Sequence, residues 1–279
     1  MHEYISLNTW YDRMDGSESL SIGGLNCGTY SDVPRTNHVV AANTEQTNTS
    51  SAQPVYGNPS VSYRTLIFDL DQTLYPKSSS LQMKIRHRLY KSLMKRNACS
   101  YEQAKQMYVE MSVKYGLGYK GMIKEYGMDE CWYDELVDFD FGEMLKMDER
   151  LNGRIMRIGS DCSDDREDDR DKNRNAGTTT NSTQFFIFTN SQEKYTRRVL
   201  KYLNIPHISK IFYTTYFQPR MLCKPERKAF EFVNTYCKGD TYFFDDKMAN
   251  VEMGKMMGWK CFLIDDDLYD VLGMFDAMG

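Results

Sequence analysis

No stretch of this sequence approaches the roughly 18 consecutive apolar residues that a membrane-crossing helix needs, so a bilayer-spanning role is set aside. The start, MHEYISLNTWYDRMDG, has neither a basic lead nor an apolar run, and export through the secretory route is not expected. Cysteine is sparse and irregular. Seven residues, an odd number with no CxxC spacing, argue against a disulfide framework or a zinc site. Excess positive charge is missing as well: a net charge of −4 gives no electrostatic case for nucleic acid or an anionic membrane as partner. A reduced, cytoplasmic or nuclear protein is expected, with its oligomeric state left open.

What is present is ordinary for a soluble globular chain. Apolar residues make up 41% and charged residues 27% of 279, enough for one large domain or a core with a smaller companion. Residues 1–60 are rich in Ser, Thr, Asn and Gly without a sustained apolar period, and a disordered tail is expected there. Order is expected to begin at YRTLIFDL, a β-rich run of the kind seen in a buried strand. Residues 76–158 then read as helices. Leu81, Ile85, Leu89 and Leu93 form a stripe, and Ser100 with Gln103 fits a capping box opening a second helix. Residues 159–184 are mixed-charge, then small and polar. A disordered loop is expected there, and neither EF-hand spacing nor its glycine is present.

From Phe185 strands and helices alternate: FFIF, a helix with Tyr195, Val199, Leu200 and Leu203 inward, KIFYTTYF, a helix with Pro225 in its first turn, TYFF, a helix closed by Gly258, and KCFLI. This predicts an α/β fold, a parallel sheet formed by 61–75 and 185–279, with a helical cap inserted after its first strand. In such sheets ligands bind beyond the carboxyl ends of the strands. Asp69 and Asp71 follow TLIF, Thr189 and Asn190 follow FFIF, Asp245 and Asp246 follow TYFF, and Lys224 precedes a helix start.

Each of these has a bland reading. A DxD pair is often a turn, Thr-Asn an N-cap, Lys-Pro a solvated helix start, and Asp-Asp a helix N-terminus. Their joint order, each after its own strand, points instead to phosphoryl transfer with Mg²⁺. Asp69 would attack phosphorus. Asp71, turned to the same side by the two-residue period of an extended chain, would move the proton. Thr189 and nearby backbone N–H groups would bind phosphate oxygens, with Asn190 beside them, and Lys224 would offset the crowded negative charge.

The segments FDLDQTLY, FFIFTNS, CKPERKAF and YFFDDKMANVEMGKMMGWKCFLI resemble, in order and spacing, the four motifs of the haloacid dehalogenase-like (HAD) phosphatases. The resemblance covers about residues 64–264, apart from the polar insertion, and implies a Rossmann-like core, Mg²⁺ and the same roles for Asp69, Asp71, Thr189 and Lys224. It implies as metal ligands the Asp69 carboxylate, the Asp71 backbone carbonyl and Asp245, with Asp246 close by or linked through water. The dehalogenase branch lacks the second aspartate, so Asp71 favours a phosphatase. Gln72 departs from the Gly, Asn or Glu of many relatives, a change expected to be tolerated. The cap segments KYGLGYKGMIKEYGMD and LVDFDF are similar to those of fungal-type pyrimidine 5′-nucleotidases. That likeness implies a nucleoside monophosphate such as UMP or CMP as the small-molecule partner. Tyr115, Tyr119, Lys120 and Trp132 are the cap candidates for substrate contact, each with packing as its plainer role. A phosphatase for another small metabolite, and a catalytically silent HAD domain, are the competing readings.

Overall fold

The computed structural model describes residues 2–10, 61–160, 180–265 and 267–275. Six parallel strands form one sheet in the order β1-β4-β3-β2-β5-β6: β1 (Glu3–Ser6), β2 (Val61–Phe68), β3 (Thr180–Phe188), β4 (Ile208–Tyr213), β5 (Asp240–Asp245) and β6 (Lys260–Leu263). The chemistry of these strands explains the pairing. Successive residues point to opposite faces, and both faces here are apolar, as a parallel sheet covered by helices requires. On one face Leu66, Phe68, Ile187 and Phe244 join a large apolar cluster. On the other, Ile67, Phe186, Phe188, Phe212 and Phe243 pack beneath helix Arg227–Asn234 through Phe230 and Val233.

Between β2 and β3 lie, among the described residues, a short 3-10 turn (Lys77–Ser79), five α-helices and no strand: α1 (Leu81–Asn97), α2 (Tyr101–Tyr115), α3 (Gly118–Tyr126), α4 (Glu130–Val137) and α5 (Glu149–Ser160). The stripe read from the sequence is the buried face of α1, with Leu81, Ile85, Leu89 and Leu93 inward. The capping box at α2 is complete: the Gln103 N–H donates to Ser100 Oγ at 3.2 Å, and the Ser100 N–H donates to Gln103 Oε1 at 2.8 Å. Two orphan donors are thereby satisfied. Helices α2 and α3 then approach so closely that a Cβ on Gly121 would sit 2.4 Å from Met111 Cβ.

Three sequence expectations are corrected. The tail assigned to residues 1–60 is not a tail at its beginning: Glu3–Ser6 adds an edge strand in register with Lys210–Tyr213, and Leu7 is fully buried. The run EYIS is too short to show a period, so its strand character comes from the partner it meets; residues 11–60 lie outside the described residues. The insert consequently follows the second strand of the chain. The loop placed at 159–184 is shorter at both ends, since α5 runs to Ser160 and β3 starts at Thr180, where it pairs with Val61. Backbone pairing, indifferent to the polarity of TNSTQ, carries the strand beyond its apolar half; residues 161–179 lie outside the described residues. Pro225 is not in a helical first turn. It precedes Glu226, the N-cap of α7 (Arg227–Asn234), and its bond to Lys224 is cis. Gly258 sits just beyond α8 (Met248–Met256) at φ +82°, a left-handed position that suits glycine.

If β1 is integral to the fold, Leu7→Ala should lower stability in urea denaturation by about 2–5 kcal/mol. A change within about 0.5 kcal/mol would mark the segment as peripheral.

Candidate active site

The register of the sheet brings the acidic residues together. Phe68 of β2 stands opposite Ile187 of β3 and Phe244 of β5, so Asp69 comes level with Asp245, and Thr189 leaves the neighbouring strand one step on. The Asp69 N–H still donates to the Phe244 carbonyl at 2.8 Å, which fixes its backbone to the sheet. Asp69 and Asp245 are buried and Asp246 is half-buried; one carboxylate oxygen from each lies within 4.8 Å of the others.

Lys224 enters this cluster from the loop before α7 and is 1% exposed. Its Nζ donates to Asp69 Oδ1 at 2.7 Å, Asp245 Oδ2 at 2.6 Å and the Phe188 carbonyl at 2.6 Å. All three ammonium hydrogens are thus spoken for, each by the end of a different strand. Burial pulls this ammonium down, but Asp245 and Asp69 outweigh it and hold its pKa above the ordinary lysine value. Burial pushes the Asp69 carboxyl up to about 8; Lys224 opposes the rise, and the charges of Asp245, Asp246 and Asp71 add to it.

Asn190 has a role the sequence reading did not give it. Its amide grips the Lys224 backbone on both sides, Nδ2 donating to the Lys224 carbonyl at 2.8 Å and Oδ1 accepting from the Lys224 N–H at 2.7 Å. It lines the cavity as well, while its amide orients the loop that delivers the ammonium. Thr189 is fully buried, with its Oγ1 accepting from the Ser191 N–H at 3.1 Å. Asp245 is held by Asn250 Nδ2, at 2.8 and 2.9 Å to its two oxygens, and by the Lys247 N–H at 2.9 Å.

Asp71 reaches the site by a different route from the one expected. The chain turns after Phe68 and is not extended through Asp71, so alternation does not orient the two aspartates. Gln72 lies at φ +65°, in the left-handed region that glycine or asparagine occupies most readily. The Asp71 carboxylate is not part of the three-acid group. It faces a cavity of about 140 Å³ and accepts from Tyr75 Oη at 2.6 Å, Tyr195 Oη at 2.8 Å and Ser191 Oγ at 2.5 Å.

The cap supplies the opposite wall. Of the cap residues singled out, Tyr119 lines the cavity and stacks on Tyr216, ring centroids 5.5 Å apart. Tyr115 does not reach it and bonds to Glu125 at the surface. Lys120 points to another cleft, donating to Glu226 at 2.7 Å and the Met221 carbonyl at 3.1 Å. Trp132 is buried in packing beneath Arg96. The sequence reading missed Tyr108, Tyr133, Tyr195 and Tyr216, which line the same cavity. Tyr108, Tyr133 and Tyr195 sit on three different helices and Tyr216 in the turn after β4, where an aromatic residue looks like ordinary core, and no local signal separates a wall from a core.

No family model matches the chain. Phosphate metabolism protein 8 of Saccharomyces cerevisiae is 25% identical over 238 residues, covering 81% of this chain and 69% of that protein. Among solved structures, L-2-haloacid dehalogenase from Xanthobacter autotrophicus has a TM-score of 0.42 at 9% identity, covering 77% of this chain and 87% of that one. A HAD-superfamily hydrolase from Geobacter sulfurreducens gives 0.43 at 11%, with 79% and 99% covered. A HAD family enzyme from Bacteroides thetaiotaomicron, in complex with magnesium and inorganic phosphate, gives 0.41 at 12%, with 75% and 98% covered. These values are modest. The parallel sheet order, the helical insert and the placement of all four motifs at one sheet edge decide the architecture. The chain has a Rossmann-like parallel α/β fold with a helical insert.

The donor set of this core suits a hard divalent cation. Three carboxylates supply oxygen only and lie within mutual reach, the donor chemistry that Mg²⁺ prefers. Such an ion favours ionised Asp69, so its binding must displace the proton that burial retains there. Mg²⁺ affinity in titration calorimetry should therefore rise with pH, by up to about tenfold per unit, and level off above about pH 8. Proton release should be visible as a dependence on buffer ionisation enthalpy. A flat profile with no proton release would remove Asp69 from the ligand set.

Proposed function

We propose that this protein is a Mg²⁺-dependent phosphomonoester hydrolase working through an aspartyl phosphate on Asp69, with pyrimidine nucleoside monophosphates as its substrates. The observation that carries the reading is the buried Asp69–Lys224–Asp245 cluster, whose neighbour Asp246 lines a cavity together with Asp71. One carboxylate is fixed to the sheet beside a cation, and a second sits apart from it with hydroxyl partners. That division suits one nucleophile and one proton carrier.

In the first step an oxygen of Asp69 bonds to phosphorus as the ester P–O bond breaks. The departing oxygen keeps the bonding pair and takes a proton from the Asp71 carboxyl. In the second step Asp71, now ionised, accepts a proton from water as the water oxygen bonds to phosphorus. The Asp69–phosphorus bond breaks and inorganic phosphate leaves. Lys224 keeps Asp69 oriented and offsets the charge of the approaching dianion, with Thr189 and the N–H groups around it as phosphate donors. Asp69, Asp245 and Asp246, with the Asp71 backbone carbonyl, would hold Mg²⁺, which supplies charge neutralisation between carboxylates and phosphate.

The substrate class is supported by the cavity wall. Tyr108, Tyr119, Tyr133 and Tyr216 present flat, hydroxyl-bearing rings, and Arg86 adds a guanidinium. Planar rings with hydrogen-bonding rims suit such a wall. The yeast relative is named for phosphate metabolism, which agrees with a phosphate-releasing activity.

A phosphate-release screen over nucleoside monophosphates and sugar phosphates tests both levels. UMP and CMP should lead, by at least about tenfold over sugar phosphates. Equal rates on unrelated esters would overturn the nucleotidase reading and leave the hydrolase. Asp69→Asn should abolish turnover with an unchanged circular dichroism spectrum; surviving activity would overturn the mechanism.

A further inference from the structure

The hydroxyls around Asp71 form a connected set drawn from three separate parts of the chain. Tyr75 follows β2, where the chain leaves for the cap. Tyr195 and Ser191 belong to the segment after β3, with Tyr195 on α6 (Glu193–Leu203). The fourth member, Gln82, stands in the first turn of α1, in the cap. Gln82 Nε2 donates to Tyr195 Oη at 2.9 Å and to Tyr75 Oη at 3.4 Å, and the two phenol oxygens are 3.4 Å apart. Both phenols then donate to the same oxygen of Asp71, and Ser191 donates to the other.

A carboxyl on a turn can rotate about two side-chain torsions, yet proton transfer needs a heavy-atom approach of about 2.6–3.2 Å. Three donors fix both oxygens of Asp71, and so fix both torsions. Tyr75 and Tyr195 are buried, at 4% and 2% exposure, so their rings cannot swing aside without disturbing the core. A phenol keeps its proton at neutral pH, so both remain donors. Their outer contact is Gln82, in the first turn of the cap helix α1.

We propose that Tyr195 and Tyr75, braced by Gln82 of the cap, are positioning residues that hold the Asp71 carboxyl for proton delivery. The inference rests on the reading of Asp71 as proton donor in the hydrolase proposed above. It adds the residues that orient the donor and the cap side chain that braces them. The three donors aim the carboxyl before the ester bond breaks, and Gln82 holds two of them in line. A misplacement of about 1 Å at such a group costs on the order of 10²-fold in rate.

Leaving-group dependence separates positioning from packing. A p-nitrophenolate departs without a proton, whereas the sugar oxygens of UMP and glucose 6-phosphate require one. Tyr195→Phe and Tyr75→Phe keep the ring and lose only the hydroxyl; Gln82→Ala releases the brace from the cap side. On UMP and glucose 6-phosphate, kcat/KM should fall by about 10- to 10²-fold, and its loss on p-nitrophenyl phosphate should be at least about tenfold smaller. That ratio reports only the steps up to leaving-group departure and not the shared hydrolysis of the intermediate. Gln82→Ala should show the same pattern at reduced size. If Tyr75→Phe does not fold, the other two variants carry the test, with folding checked by circular dichroism and thermal melting. Equal losses in kcat/KM on the aryl and alkyl esters would overturn the proposal. Asp71→Asn is the reference. If it shows no leaving-group dependence, the reading of Asp71 fails and the positioning role with it. If it does and Tyr195→Phe does not, only the positioning role falls.

Discussion

The Lys224 ammonium, buried between Asp69 and Asp245, is the contact on which the rest of the site depends. Two adjacent carboxylates taken out of water repel each other and lose hydration, and each alone would be driven toward its neutral form. A single cation touching both, and the Phe188 carbonyl besides, makes their proximity tolerable and ties the ends of β2, β5 and β3 into one unit. Losing one partner of such a buried pair typically costs about 3–5 kcal/mol, because the charge left behind has no water to return to. Asn190 and Asn250 serve this arrangement, one fixing the lysine backbone and the other Asp245.

The second acid lives under different rules. Asp71 stands outside the cation-bridged group and is surrounded by hydroxyls that bond without adding charge. Core and cap share the wall beside it. Tyr119 and Tyr133 of the cap meet Tyr216 of the core face-on and edge-on, at 5.5 and 5.3 Å between ring centroids. The apolar cluster on this side of the sheet runs unbroken from β2 through the cap helices. The cap therefore does two things at once: it walls the cavity beside Asp71, and through Gln82 it completes the hydrogen bonds around the two phenols.

Much of this was legible in the sequence, for identifiable reasons. Asp69, Asp245 and Lys224 each follow an apolar run or precede a helix, and a parallel sheet sends all such positions to one edge. The stripe on α1 and the capping box on α2 are local codes that tertiary contacts reinforced. Other features had no local code. The strand Glu3–Ser6 is four residues long and becomes a strand only because β4 offers an open edge. The polar beginning of β3 is held by its ladder with Val61–Thr65, whatever its side chains. Asp71 seemed oriented by strand alternation, yet the chain has already turned, and Gln72 takes the left-handed conformation that the turn demands. Tyr115 and Lys120 were sensible candidates by type, but one faces solvent beside Glu125 and the other Glu226.

The sequence by itself determined the layered α/β architecture, the position of the helical insert, and the identity of the charged residues gathered at the sheet edge. These follow from hydrophobic period and chain order, which are one-dimensional properties. Only the tertiary structure decided that Lys224 bridges two strands, that Asn190 grips its backbone, and that Tyr75, Tyr195 and Gln82 converge on Asp71. Those contacts join residues up to 155 positions apart in the chain. Their strength comes from the exclusion of water at the place where they meet, and no stretch of sequence specifies that alone.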